Sequence, residues 1–481
     1  MGIKTYEFTY NRKDIIPGIL HFGVGNFHRA HQAYYTNKLL ADSDQKNWGI
    51  CGAMILEKDE HIFQCLKKQE NCYGLTVYGR SGHDEYHHIG SLVELLWGIN
   101  NADAIIDKVA NPCTKIISLT ITEGGYNLDK KTREFDFSNE DILYDLKFPE
   151  KPRTVFGYIA AGLRKRMAAN VGPLAILSCD NLPHNGEVCR NSFTSFFKKA
   201  DIQIYNWAKD NISFPSSMVD RITPATLTED IPKLYARNGH EDLVPVYCED
   251  FVQWVIEDDF PAGRPAWERV GVEFTDDVSK YESVKLGIVN STHQMLSFPG
   301  MLAGYRKVDE AVADERIATY LRQYMDLDVT PYLVPPPNTN LEVYKTTFIE
   351  RLGNKTVSDQ LSRLCFDGAN KIPVFMVPTI TAMLKVNADM KRIAFLIAAY
   401  RLYLQRGEDE RGLSYKIDDP GLLEGDKMLI NSDEPLDFLK LSCFSSVIFD
   451  SSKNFMEWYL KYCGSIEAVG VLATLGEVIG E

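Results

Sequence analysis

The stretch Lys285-Leu286-Gly287-Ile288-Val289-Asn290-Ser291-Thr292-His293 places an amine, a carboxamide and an imidazole at spacings of five and three. An α-helix turns by about 100° per residue, so these side chains fall within an arc of roughly 140°. One helix face then aims all three at one site. Burial disfavours an ammonium, so a buried Lys285 can give up its proton near neutral pH and serve as a base. Asn290 can donate an amide N–H to an alkoxide, and His293 can orient a hydroxyl. Together they suit the removal of a proton from an alcohol while hydride leaves the same carbon. The alternative is a polar edge on an apolar helix, with no reaction attached.

Hydride needs an acceptor, and the N-terminal part of the chain has the pattern of a nucleotide site. Ile15–Phe22 reads as a buried strand, Gly23-Val24-Gly25 follows at once, and a helix is expected to run on through Leu39-Leu40. Strand, Gly-x-Gly and helix bring backbone N–H groups onto a pyrophosphate. Gly23 allows the tight turn and Gly25 the close approach, while His28 stands where a third glycine is usual. A second apolar strand, Trp48–Leu56, ends in Glu57-Lys58-Asp59. An acid just past that strand can accept from ribose hydroxyls and repel a 2′-phosphate, which favours NAD over NADP. Which of Glu57 and Asp59 does so stays open, and both also suit the first turn of the next helix.

Further buried strands are expected at Lys115–Thr122 and Leu174–Asn181. Ligands gather beyond the carboxyl ends of such strands, so Glu123 and Asn181 are placed to reach a site. Helices expected at 154–169 and 185–209 separate the strands as βαβ units require, and a late strand is expected at 244–249. After residue 284 helical patterns dominate, at 311–325, 338–352, 357–365, 388–404, 451–462 and 465–478. The fold class is therefore α/β: a Rossmann-type doubly wound domain over residues 1–284, then a mainly helical substrate domain over 285–481. Lys285 stands at that junction, a favoured place for small-molecule sites.

A length of 481 residues exceeds one ordinary core, which agrees with two domains. The formal net charge of -14, without a basic block, repels phosphate backbones and argues against nucleic acid as a partner. Ten scattered cysteines form no Cys-x-x-Cys, so reduced thiols in a cytoplasmic setting are expected. No signal-peptide core, myristoylation pattern or apolar run of roughly 20 residues appears. The expected assembly is a monomer or small homo-oligomer.

Two patterns compete with this reading and fail. Tyr73–Tyr78 and Tyr86–Ile89 form a hairpin signature, and His83, Glu85 and His87 share one face of its second strand. With no fourth ligand apparent, a solvated hairpin edge is expected there and no metal. Tyr281-Glu282-Ser283-Val284-Lys285 also fits the Tyr-x-x-x-Lys of short-chain dehydrogenases. Those chains are roughly half as long, and their upstream serine is not matched around Glu268-Arg269.

Taken together the motifs resemble the polyol-specific long-chain dehydrogenases, the mannitol dehydrogenase family, over nearly the whole chain. Gly23–His31 is similar to the family's Gly-x-Gly-x-Phe-x-Arg-Ala-His, which accounts for the missing glycine. Thr122–Tyr126, Ser178–Asn181, Asn185-Gly186, Val219–Pro224, Gln253–Asp258 and Phe260–Pro265 resemble further family blocks. Lys285, Asn290 and His293 meet its Lys-x4-Asn-x2-His signature.

The resemblance implies roles. Lys285 would be the general acid and base, and Asn181 and Asn290 the pair that binds the substrate oxygen. His293 and Asp220 would contact hydroxyls, and Arg363 and Lys371 the rest of the sugar. Glu123 and Glu282 would tune proton movement near the lysine. Asn26, Phe27 and Arg29 join Gly23 and Gly25 at the cofactor, and no zinc is implied. The alternatives are surface charges at Arg363 and Lys371 and a local ion pair at Asp220-Arg221. The expected activity is NAD-dependent interconversion of an acyclic polyol and its ketose, with mannitol and fructose first. A hexuronate reductase is the alternative. A nucleotide-sensing protein without turnover, the third reading, is disfavoured by the intact Lys, Asn and His set.

Overall fold

The computed structural model describes residues 3–129, 132–337, 339–357 and 359–480. They form two compact units, Met1–Val278 and Ser279–Glu481. The division falls before the short helix Ser279–Val284, six residues ahead of the expected boundary, because that helix runs on directly into the Lys285 stretch.

The first unit is built on a six-stranded sheet. Its strands are β1 Pro17–Phe22, β2 Gly49–Met54, β3 Leu92–Trp97, β4 Ile116–Leu119, β5 Leu174–Ser178 and β6 Ile212–Ser213. They are all parallel and lie in the order β3-β2-β1-β4-β5-β6. That is a doubly wound sheet whose order reverses between β1 and β4. Every residue of β2, β4 and β5 is buried, as a sheet covered on both faces demands. One apolar layer gathers Ile105, Ile159, Leu163 and Phe193, and another gathers Ala33, Leu39, Trp254 and Trp267.

Several local expectations change. The helix after Gly25 stops at Ala30, breaks at His31, and resumes over Gln32–Leu39. The expected helix at 185–209 is two, Asn185–Ala200 and Ile202–Asn211. Extended Asp201 separates them, its carboxylate accepting from the Gln203 N–H at 2.9 Å. The hairpin Tyr73–Tyr78 and Glu85–Ile89 is present, but it is no solvated edge. Lys4–Tyr6 pairs along one side and Val246–Glu249 along the other, so His87 is buried. Those pairings join residues far apart in the chain, and local pattern does not announce them.

The second unit is helical, and no β-strand occurs in it among the described residues. Its spine is Lys391–Arg406, thirteen of whose sixteen residues are buried. Against it pack Ser291–Leu302 and Lys453–Val469. The latter runs through the break expected near 463 and ends at Gly470, whose φ of +90° favours glycine. The expected helices at 338–352 and 357–365 include residues outside the described ones; the observed spans are Leu341–Leu352 and Leu361–Cys365. The stretch expected as one helix over 311–325 is Val308–Val312, then Glu315–Gln323 capped by Asp314, then a π-helical turn over Tyr324–Val329.

That π-turn is pinned by a buried ion pair. Arg392 donates through Nε and Nη2 to Asp328 at 2.7 and 2.6 Å, with side chains 3% and 1% exposed. Removing one partner strands the other charge in an apolar core. Asp328→Ala is expected to cost about 3–5 kcal/mol in urea unfolding of the second unit, and pairing it with Arg392→Met should restore much of the loss.

Candidate active site

In the first unit the loop Gly23-Val24-Gly25 lines a cavity of about 430 Å³ beyond the carboxyl ends of β1, β2 and β4. Its other walls come from Leu56, Lys58 and Asp59 after β2, Thr120–Thr122 after β4, and the segment around Asn139, Arg153 and Thr154. This is the switch point where the strand order reverses. Gly23 has φ +95°, and a Cβ there would sit 2.1 Å from the Thr120 carbonyl oxygen. At Gly25 a Cβ would meet nothing nearer than 4.0 Å, so the missing side chain leaves room over the cavity and not for the fold.

The loop rests on a polar cluster. Thr120 Oγ1 donates to the Gly23 carbonyl at 2.6 Å, and a ring nitrogen of His21 lies 2.9 Å from that hydroxyl. The other His21 nitrogen lies 2.8 Å from Ser118 Oγ, which donates to Gln32. Burial pushes His21 down to about 3, so it stays neutral and keeps one donor and one acceptor.

A second anchor is Asp180, beyond β5. Its carboxylate accepts from the backbone N–H groups of Ile121 and Thr122 at 3.0 and 2.9 Å, and from the Tyr126 hydroxyl at 2.8 Å. Thr122 holds φ +63°, a strained value for a β-branched residue, at the rim of the cavity. The same bonds set the turn that carries Glu123, which is exposed and pairs with Arg133 at 3.3 Å. Asn181, next in the chain, is exposed, and Asp220 closes the strand Ser217–Asp220 as a buried residue. Beside it Arg221 donates to the carbonyls of Ala30 and Glu249, tying helix Asn26–Ala30 to strand Val246–Glu249.

Of the residues expected at the cofactor, Gly23, Gly25 and Asp59 line the cavity, while Asn26, Phe27, Arg29 and Glu57 do not. Buried Arg29 instead donates to the Val244 carbonyl at 2.5 Å and to Asn26 Oδ1 at 2.7 Å, holding the helix behind the loop. Among the described residues, no group of three or more His, Cys, Asp or Glu could hold a metal ion. His87 and Glu85 pair with each other at 2.9 Å.

In the second unit, Lys285–Asn290 is a π-turn and Ser291–Leu302 continues as α-helix. The expectation of a plain α-helix is corrected here. A π-turn bonds i to i+5, so Lys285 and Asn290 stand at the two ends of one closed turn, not 140° apart. Both are buried, and Asn290 Oδ1 has no hydrogen-bond partner. His293, on the following helix, meets the Phe348 ring edge-to-face with centroids 5.3 Å apart, and Glu282 is partly exposed one turn before the lysine.

Helix Gly368–Phe375, bearing Lys371, packs on the π-turn, and Leu361–Cys365, bearing Arg363, packs on Ser291–Leu302. Lys371 Nζ donates to the carbonyls of Arg363 and Leu364, each at 3.2 Å. Arg363 is held by Asp359 in a bidentate pair. The second unit thus gathers Lys285, Asn290, His293, Arg363 and Lys371 on neighbouring elements.

Comparison with known proteins bears on this arrangement. Residues 17–269 match the mannitol dehydrogenase Rossmann domain, and residues 277–450 match the mannitol dehydrogenase C-terminal domain. The chain belongs to the mannitol dehydrogenase family. It is 41% identical over 437 residues to a polyol:NADP oxidoreductase of Gluconobacter oxydans, covering 90% of each chain. It is 35% identical over 472 residues to a mannitol 2-dehydrogenase of Phaeosphaeria nodorum, covering 98% of this chain and 82% of that one. Among solved structures it resembles a Pseudomonas fluorescens mannitol 2-dehydrogenase in ternary complex with NAD and D-mannitol, with TM-score 0.88 and 41% identity over 99% of this chain and 97% of that chain. A substrate-free D-sorbitol dehydrogenase gives TM-score 0.91 at 36% identity, over 99% and 100% of the two chains.

Within this mannitol dehydrogenase family fold, sequence reasoning missed His21, Thr120, Asp180 and Asp359, which touch their neighbours through long-range contacts or at an unremarked i,i+4 spacing. It also missed the cavity wall at 139–156, though Asn139 and Thr154 both carry helix-cap signals.

Lys371 offers a test by pH. Burial first, and the Arg363 charge second, push its ammonium from 10.5 down to about 8. Below pH 8 it is charged in folded and unfolded chains, and the fold carries the whole desolvation cost. From about pH 8 to 10.5 the folded chain has shed a proton that the unfolded chain keeps, and that cost is relieved. The wild type should therefore gain melting temperature relative to Lys371→Met between about pH 7.5 and about pH 10. A difference that stays flat across this range would contradict the shift.

Proposed function

We propose that this member of the mannitol dehydrogenase family is an NAD-dependent oxidoreductase that interconverts an acyclic polyol and its ketose, with mannitol and fructose as the first pair. The observation that carries the reading is the π-turn. It buries an amine and an unpartnered carboxamide oxygen at the two ends of one closed turn. An orphaned buried acceptor costs about 1–3 kcal/mol, and a hydroxyl next to the reacting one would satisfy it while the amide N–H of Asn290 faces the reacting oxygen.

The residues of the first unit fit a dinucleotide. Gly23 and Gly25 clear the approach to its phosphates, and Asp59 on the cavity wall suits a ribose hydroxyl. Asp59 favours NAD, although Lys58 on the same wall adds a cation. The nicotinamide, when bound, accepts or returns hydride. In oxidation neutral Lys285 takes the hydroxyl proton, and in reduction its ammonium gives it back. Asn181 and Asn290 donate to the oxygen as it gains charge, a contribution of about 10²–10³ in rate per donor. His293, Asp220, Arg363 and Lys371 hold the remaining hydroxyls, and Glu123 and Glu282 serve proton exchange at the lysine. A cytoplasmic setting fits the ten unpaired cysteines.

The test follows NADH absorbance with mannitol, sorbitol, arabinitol and xylitol in one direction, and with fructose, fructuronate and tagaturonate in the other. Polyol oxidation is expected to rise with pH in kcat/KM and ketose reduction to fall, since one needs the free amine and the other the ammonium. Lys285→Ala should bind NADH and lose nearly all turnover. Half of the wild-type kcat surviving in that variant would sink the lysine, and equal kcat/KM with NAD and NADP would sink the cofactor choice.

Gly25→Ala separates cofactor from fold. Its Cβ meets open space in the protein, so the melting temperature should not change. It would stand over the cavity, so NADH affinity by fluorescence titration is expected to fall about tenfold or more. An unchanged affinity would place the dinucleotide elsewhere.

A further inference from the structure

We propose that Asp359 sets the substrate class of this site: its bidentate pair with Arg363 presents the guanidinium to uncharged hydroxyls and withholds it from a carboxylate. The inference rests on the proposed function, in which Arg363 and Lys371 face the sugar.

The carboxylate side chain of Asp359 is 9% exposed, while the Arg363 side chain is 55% exposed. Arg363 Nε donates to Asp359 Oδ1 at 2.8 Å and to Oδ2 at 3.1 Å, and Nη2 also donates to Oδ2. Two nitrogens of the fork are thus committed, and the hydrogens on Nη1 remain along its outer edge. A hydroxyl needs only such an N–H. A carboxylate needs net positive charge as well, and here it would meet a second carboxylate across the same guanidinium. The negative charge of Asp359 also acts on His293, so it governs two sugar-facing groups at once. Arg363 and Asp359 pair, and the Lys371 ammonium beside them is weakened in its hold on a proton by burial and by the Arg363 charge, against the opposing pull of Asp367 and Asp419. A site built this way suits a neutral polyol or ketose and discriminates against a sugar acid of the same length.

Besides the Gln360 N–H on its carboxylate, the local backbone is held by bonds that do not involve the Asp359 side chain. The Asp359 carbonyl accepts from Val308 N–H and the Leu361 N–H donates to the Arg306 carbonyl, and these bonds hold the segment whatever side chain stands there. Asp359→Asn keeps an oxygen for Arg363 Nε and for the Gln360 N–H that Oδ1 accepts at 2.9 Å. It removes only the charge. Asp359→Ser is a second route to the same loss.

The experiment compares full-length wild type, Asp359→Asn, Asp359→Ser and Asp359→Asn with Arg363→Gln. Kinetics give kcat/KM for fructose and for fructuronate, and calorimetry on the NADH complex gives the affinity for gluconate, a sugar acid that cannot be reduced as a ketone. Neutralising Asp359 should raise the fructuronate-to-fructose ratio about tenfold or more and tighten gluconate by a similar factor, with NADH affinity unchanged. Adding Arg363→Gln should abolish both gains. A ratio and a gluconate affinity that do not move, or gains that survive Arg363→Gln, would overturn the role of Asp359. A wild type that turns over no polyol or ketose would instead refute the proposed function, and the gluconate arm would still decide this inference.

Discussion

A cation taken out of water must be answered inside the protein, and the second unit is organised by that constraint. Lys345 is 1% exposed and reaches Asp326 and Glu342, each at 2.5 Å, while Arg392 is matched by Asp328. Asp326 and Asp328 both belong to the π-turn Tyr324–Val329, which packs on the π-turn of Lys285 and Asn290. The helices that frame the reactive stretch are therefore fastened to the same acids that neutralise the core. Buried pairs of this kind add little net stability over an apolar core, but they tolerate few alternative arrangements. That suits a stretch whose amine and carboxamide must hold one geometry.

The first unit solves a related problem with neutral groups. His21, Ser118, Thr120 and Gln32 lie beneath the glycine loop and are bonded to one another and to the Gly23 carbonyl. Burial keeps the imidazole uncharged, so the support does not repel a cation or attract an anion of its own. Asp180 does similar service for the strained turn at Thr122. In both places the groups that touch the cavity are shaped by partners one layer behind, which is how a site keeps its form before anything binds.

How much was legible in the sequence follows from range. β1, β2, β4 and β5 are buried, mostly apolar runs, and the Gly-x-Gly beside the first is a local pattern with a local cause, so all were readable. The Lys, Asn and His triple was readable as chemistry but misread as geometry. A π-turn leaves no trace in periodicity when nearly every residue of the stretch is buried, as Gly287 to Thr292 are. The hairpin was found and its surroundings were not, because Lys4–Tyr6 and Val246–Glu249 come from opposite ends of the unit. Arg363 was singled out and Asp359, four residues earlier, was not, because a lone acid before a short helix carries no signal of its own in the sequence.

The π-turn at Lys285–Asn290 also bears on how chains of this kind can differ in length. It carries one residue more than an α-helical turn would between the same two ends. Deleting a single residue inside it would turn it into an ordinary helix with the amine and the amide four apart, still on one face. Adding one, or deleting two, would swing everything from Asn290 to the helix end by about 100° and bury a different set of side chains. The stretch therefore has one residue of slack in one direction only, and a gap placed there in a comparison of related chains is conservative where a gap a few residues later is not.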